Sequence, residues 1–162
     1  MGAFPRASVI VDGTAERLLG AGPALAAEDS LREKLAADRG RDAQHGTTAT
    51  GPHRSDMVVA DRVRGLKAAD GSTGEQKALL VSLTFASARM LANAKGAAPV
   101  LLLDEVAAHF DPARRQALFD EAMALGGQIW VTGADEDQLR PLKGRADWRH
   151  VEAATVSGRH EQ

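Results

Sequence analysis

Val100-Leu-Leu-Leu103 is an uninterrupted apolar run that ends directly in two acids, Asp104 and Glu105. A strand with one wet face alternates in polarity. A run without alternation suits a parallel strand covered on both faces, and so an α/β sheet. Asp111-Pro112 has the form of an N-cap followed by proline at the first helical position. It predicts a helix with Leu118, Ala122 and Leu125 turned inward, stopping at Gly126-Gly127. Gln128 to Thr132 reads as the next strand. Strand, helix and strand in this order predict a right-handed parallel βαβ unit. Ligands of open α/β sheets bind beyond the carboxyl ends of the strands, so Asp104 and Glu105 would face that crevice.

An aspartate placed there can hold Mg²⁺ through an oxygen or a bound water. A neighbouring glutamate can polarise a water for in-line attack on a γ-phosphate. Two solvated acids capping a buried strand read equally well from the residues alone. A second feature, Gly71-Ser-Thr-Gly-Glu-Gln-Lys77, opens an amphipathic helix expected over about 74–94, with Leu79, Leu83, Ala86 and Met90 as its stripe. Ser72 and Glu75 have the spacing of a capping box. Exposed backbone N–H groups, a hydroxyl and a glycine at a helix start also suit a phosphate. Both readings stay open.

Upstream, Ser8 to Gly13 reads as a strand closed by a glycine turn. A helical stretch from Thr14 is broken by Gly20-Ala-Gly-Pro23. A second helix is expected from Ala24 to Arg39, with Leu25, Leu31 and Leu35 on one side and a Glu28/Arg32 pair at i,i+4. Gly40 to Gly51 reads as a loop and a boundary. A strand is expected at Met57 to Ala60 and a last one over Arg149 to Val156, with a frayed tail beyond.

A net charge of −2 gives no global electrostatic case for nucleic acid. The most basic stretch, 39–67, sets six Arg and Lys against three Asp, and reads as a solvated surface or a set of phosphate contacts. Cysteine is absent, which excludes disulfides and thiolate metal sites. No apolar run approaches the roughly 20 residues of a membrane helix. Met1-Gly-Ala-Phe-Pro-Arg6 has no signal-peptide core, and Arg6 stands where a myristoylation signal needs Ser or Thr. A cytoplasmic location is the expectation.

The order of these motifs resembles the second half of an ABC-type ATPase head. Ser72-Thr-Gly74 matches its signature, the strand ending in Asp104-Glu105 its Walker B motif, and Ala108-His-Phe-Asp111 its D-loop. Gly51-Pro-His-Arg54 followed by Asp56, the Ser-Thr-Gly-Glu-Gln-Lys signature and Trp130-Val-Thr-Gly133 are similar to the RecF family of bacterial recombination mediators. Phe4-Pro-Arg6 and the helices to about residue 50 resemble that family's second lobe.

The resemblance implies an α/β fold: a partial P-loop NTPase of the ABC type with parallel core strands over 51–162. A remnant of a small helical lobe would form 1–50. It implies Glu105 as catalytic residue, Asp104 as Mg²⁺ ligand, and Ser72, Thr73, Gly74 and Glu75 contacting ATP of an opposing subunit. Asp111 would be the D-loop acid and Thr132 would stand in the switch region. It further implies a DNA-dependent ATPase of replication, repair and the SOS response. Such a protein forms an ATP-dependent homodimer on single-stranded, gapped or junction DNA, with recombination mediator proteins as partners and no membrane.

The pattern breaks at the Walker A loop, G-x-x-x-x-G-K-[ST], which these residues do not contain. None of the five lysines (34, 67, 77, 95 and 143) follows a glycine. ATP and Mg²⁺ would then need a loop from elsewhere, and the chain reads as a fragment inactive alone, with exposed apolar surface and poor solubility. The switch histidine of transporter-type heads is absent, with Thr132 or Asp135 in that region. His109 reads as structural or surface. His53 reads as a satisfied turn histidine beside an Arg54 paired to a carboxylate. Two alternatives stand beside the fragment: a non-catalytic partner lending a signature surface to an intact ATPase, and a Rad50- or SMC-like head fragment.

Overall fold

The computed structural model describes residues 4–158 except His109. The N-terminal leader reading on Met1 to Ala3, the role of His109 and the tail beyond Gly158 fall outside the described residues. The chain divides into two compact units, one of Pro5–Ser82 and one from Leu83 onward that also takes in Phe4.

In the first unit β1 (Ala7–Asp12) pairs antiparallel with β2 (Asp56–Asp61), from Ala7↔Asp61 to Asp12↔Asp56. Between them run α1 (Thr14–Ala21) and α2 (Ala24–His45). The break between the helices falls at Gly22-Pro23, as the glycine and proline predict. α2 continues six residues' worth of chain past the expected stop at Arg39, through Gly40, which corrects the loop expected there. One glycine costs a helix only about 1 kcal/mol, and Arg41 pairs with Asp38 at 2.9 Å across it. The helix stops at Gly46, whose φ of 66° is the left-handed turn that Cβ-bearing residues avoid. The Glu28–Arg32 pair forms at 2.8 Å. The leucine stripe does not bury, however: Leu25 and Leu35 are exposed, and Ala27 is the buried residue of α2.

α3 (Thr73–Lys95) begins in the first unit and ends in the second. Its expected stripe is set on the wrong face. Ala78, Leu79, Val81, Phe85 and Ala88 are buried, whereas Met90 is 72% exposed. Ala78, Val81, Phe85 and Ala88 run at intervals of three and four, the spacing of one helix face, and Leu79 flanks that stripe. Leu79 is the one residue shared with the expected stripe that is fully buried.

The second unit is built on a parallel pair, β3 (Leu101–Leu103) and β4 (Ile129–Val131), with Leu101↔Ile129 and Leu103↔Val131 in register. α4 (Pro112–Met123) connects them. Leu118 and Phe119 of α4 and Phe85 of α3 are the largest fully buried side chains. Burial of such a group stabilises a fold by about 1.5–3 kcal/mol. Leu125 is half-buried and lies just past the helix end.

The two glycines after α4 have separate tasks. Gly126 takes the left-handed turn at φ 72°. Gly127 passes the chain so close to β3 that a Cβ would lie 2.8 Å from the Pro99 carbonyl oxygen. The expectation of a strand covered on both faces is not met. Leu101 and Leu103 are buried while Leu102, on the other face, is 75% exposed beside Trp130.

After α5 (Glu136–Leu139) the last described element is a hairpin, β5 (Arg149–Glu152) against β6 (Thr155–Gly158). One strand was expected over this stretch. The turn is Ala153-Ala154, both at positive φ (47° and 62°), a conformation that no glycine or asparagine announces in the sequence. Among the described residues no helix is long and apolar enough to cross a membrane.

Candidate functional site

The acid pair stands where the strand pattern puts it, directly after β3, and both carboxylates are exposed. β4 runs parallel beside β3, so its own end delivers Thr132 to the same place. The Thr132 N–H donates to the Leu103 carbonyl at 3.0 Å, extending the ladder by one step. Its hydroxyl donates to Asp104 Oδ1 and accepts from the Glu105 N–H at 3.1 Å. Glu105 has φ 49°, in the left-handed region that a long side chain rarely adopts. After the acids in the chain Val106, Ala107 and Phe110 are buried, and the Phe110 ring meets Phe4 edge-on at 5.7 Å.

Asp111 Oδ1 accepts from the Arg114 N–H at 2.9 Å and caps α4, as the Asp-Pro pattern predicts. Sequence reasoning missed Arg115. Its Nε donates to the Phe110 carbonyl (3.0 Å) and its Nη1 to the Asp137 carbonyl (3.1 Å), tying the segment before α4 to α5. An arginine on a helix surface carries no sequence signal for such a role. Asp135, the other residue weighed for the switch region, caps α5 by accepting from Asp137 N–H at 2.9 Å.

In the other unit the capping box at the start of α3 is formed. Ser72 N–H donates to Glu75 Oε2 at 2.9 Å, its hydroxyl donates to the same oxygen at 2.9 Å, and Glu75 N–H reaches Ser72 Oγ at 3.4 Å. Ser72 and Thr73 are exposed. A Cβ on Gly74 would meet no atom within 4 Å, so local packing does not require a glycine there. Arg64 Nη1 pairs with Glu75 Oε1. A tight turn aims that arginine: Asp61 is buried and accepts from Val63 N–H (2.8 Å) and Arg64 N–H (3.2 Å), and Gly65 turns at φ 67°. The hydrogen bond from Arg64, then those from the Ser72 backbone and hydroxyl, lower the Glu75 carboxyl to about 2. Only a general basic stretch pointed to Arg64 in the sequence.

That stretch holds less free positive charge than its composition suggests, because Arg41 is paired with Asp38 and Arg64 with Glu75. His53 Nε2 lies 2.9 Å from the Thr48 carbonyl oxygen, which satisfies it as a turn residue. The carboxylate partner expected for Arg54 is absent among the described residues. No group of three or more metal-ligating side chains occurs among the described residues, so the acid pair offers one carboxylate and its neighbour in place of a closed metal cage.

The chain is thus an α/β protein whose parallel strand–helix–strand unit carries two acids and a threonine at its carboxyl end. No family model matches it. It is 45% identical over 157 residues to the DNA replication and repair protein RecF of Brucella abortus strain 2308, a match covering 97% of this chain and 41% of the relative. The Rhizobium meliloti strain 1021 protein of the same description is 46% identical over 157 residues, covering 97% and 42%. A solved structure of the recombination mediator protein RecF-ATPrS in the RecFOR pathway superposes with a TM-score of 0.60 at 21% identity, covering 82% of this chain and 35% of that one. Over nearly its whole length the chain is homologous to RecF proteins and matches their C-terminal part, and it spans about two-fifths of their length.

Proposed function

We propose that this chain is the signature- and acid-bearing part of a RecF-type ATPase head acting in DNA replication and repair. In this reading 51–162 is the C-terminal half of the head and 1–50 a remnant of its helical second lobe. The observation that carries it is the acid pair at the end of a parallel strand, held by Thr132 from the neighbouring strand. The description of the relatives and the ATPrS in the RecF structure support the class of reaction.

Glu105 is the residue that orients and polarises the attacking water. Asp104 is the metal ligand. Mg²⁺ is commonly held by one or two carboxylates plus substrate phosphates, and a single exposed carboxylate at a strand end fits that need. The ion, when bound, neutralises charge on the phosphates. Ser72, Thr73, Gly74 and Glu75 present a hydroxyl and helix-start N–H groups to the nucleotide of an opposing subunit. Asp111 serves at the same dimer contact. The lysine and the phosphate cradle come from a Walker A loop that these 162 residues do not contain. The partners of the assembled head are single-stranded, gapped or junction DNA, a second head and recombination mediator proteins, in the cytoplasm.

The test is ATP turnover with Mg²⁺ by the chain alone and mixed with a separately purified segment bearing G-x-x-x-x-G-K-[ST] from a RecF relative. The expected result is no turnover alone, and turnover in the mixture that gapped DNA stimulates and Glu105→Gln abolishes. Turnover by the chain alone that survives Glu105→Gln would sink the reading.

A further inference from the structure

Thr132 is bonded to both acids by one oxygen. Its hydroxyl donates to Asp104 Oδ1 and accepts the Glu105 N–H at 3.1 Å, while its own N–H holds Leu103 at 3.0 Å. The last residue of β3 and the two that follow it are therefore each tied to the amide or the side chain of Thr132, the residue directly after β4. The backbone at Glu105 is the place that needs such a tie. A glutamate at φ 49° stays there only when its surroundings over-determine it. A hydroxyl can do this because it donates and accepts at once, so it is satisfied by a carboxylate on one side and an amide on the other. A histidine ring at this position would carry its two nitrogens at separate places in a rigid plane, each either donating or accepting, and could not bridge two adjacent residues through one atom.

We propose that Thr132 is a positioning residue for the acid pair: its hydroxyl fixes the rotamer of Asp104 and the left-handed turn of Glu105 together. The consequence for catalysis rests on the ATPase reading above, whereas the positioning itself rests on these hydrogen bonds. The residue touches neither nucleotide nor water in this role. It sets the angle at which Asp104 presents its second oxygen and the direction in which the Glu105 side chain leaves the strand.

The experiment uses amide-resolved hydrogen exchange of the 162-residue chain, and ATP turnover in the mixture with the Walker A segment described above. The variants are Thr132→Val, Thr132→Ala and Thr132→Ser. The Glu105 amide should exchange slowly in the parent and in Thr132→Ser. It should exchange about tenfold faster in Thr132→Val and Thr132→Ala, the factor expected for one lost hydrogen bond. Amides of the α4 core should be unmoved in all four proteins, which separates a local tie from a loss of fold. In the mixture with the Walker A segment, Mg²⁺-dependent ATP turnover should fall by a similar factor in the two variants without the hydroxyl and be restored in Thr132→Ser.

Unchanged Glu105 exchange in Thr132→Val and Thr132→Ala overturns the positioning role, whatever the turnover does. Loss of Glu105 protection in both, with no turnover even by the parent in the mixture, upholds the positioning role and counts against the ATPase reading instead.

Discussion

Arg64, at the turn after β2, is ion-paired with Glu75, whose other carboxylate oxygen accepts two hydrogen bonds from Ser72 at the start of α3. The signature-like segment is thus both a helix cap and one end of a charge pair. The Ser72 hydroxyl is the one that donates within the cap.

The pH dependence of this cap follows from its charges. Glu75 is lowered from 4.5 to about 2, first by Arg64 and then by Ser72. A carboxyl held low in the folded state contributes stability above its unfolded value, and that contribution is lost as pH falls toward its folded value. The start of α3 should therefore loosen between about pH 4.5 and about pH 2. Glu75→Gln should flatten that part of the acid transition, measured by circular dichroism across the range. An acid limb identical in the variant and the parent would show that Glu75 is not what titrates.

At the second cap, Asp111→Ala removes the acceptor for the Arg114 N–H at the start of α4. The expected loss is about 1 kcal/mol, and Asp111→Asn and Asp111→Ser should keep most of that stability. Urea melts of the three variants check the order. Equal losses in all three would mean that the Arg114 ion pair at 3.7 Å, and not the cap, is what matters.

The terminal hairpin turns on two alanines at positive φ. Left-handed backbone costs an L-residue roughly 1–2 kcal/mol. Replacing Ala153-Ala154 with Asn-Gly should relieve part of this strain, since those residues favour such a turn. The readout is slower amide exchange across β5 and β6; faster exchange would count against the turn geometry.

Leu102 and Trp130 are register partners on the exposed face of the parallel pair, at 75% and 54% exposure. Leu102→Lys should raise the solubility of the chain and leave its melting temperature within a few degrees, because little buried area is lost. A large fall in melting temperature would mean that this face is covered in solution.

What the sequence determined by itself was local. Asp111-Pro112, Ser72 with Glu75, and Gly126 with Gly127 mark helix ends through interactions that reach only a few residues. The structure forms the two N-terminal caps where the pattern places them, whereas α4 already stops at Met123, before the two glycines. The run from Val100 to Leu103 identified a parallel strand and put two acids at its end, since an apolar run has few other places in an α/β fold. What only the tertiary structure decided was pairing across long separations. Thr132 reaches Asp104, and Arg64 reaches Glu75, because strand register and a buried Asp61 bring them there. The buried face of α3 and the exposure of Leu102 were decided in the same way. Hydrophobic spacing says that a face exists, but only the packed neighbours say which residues it covers.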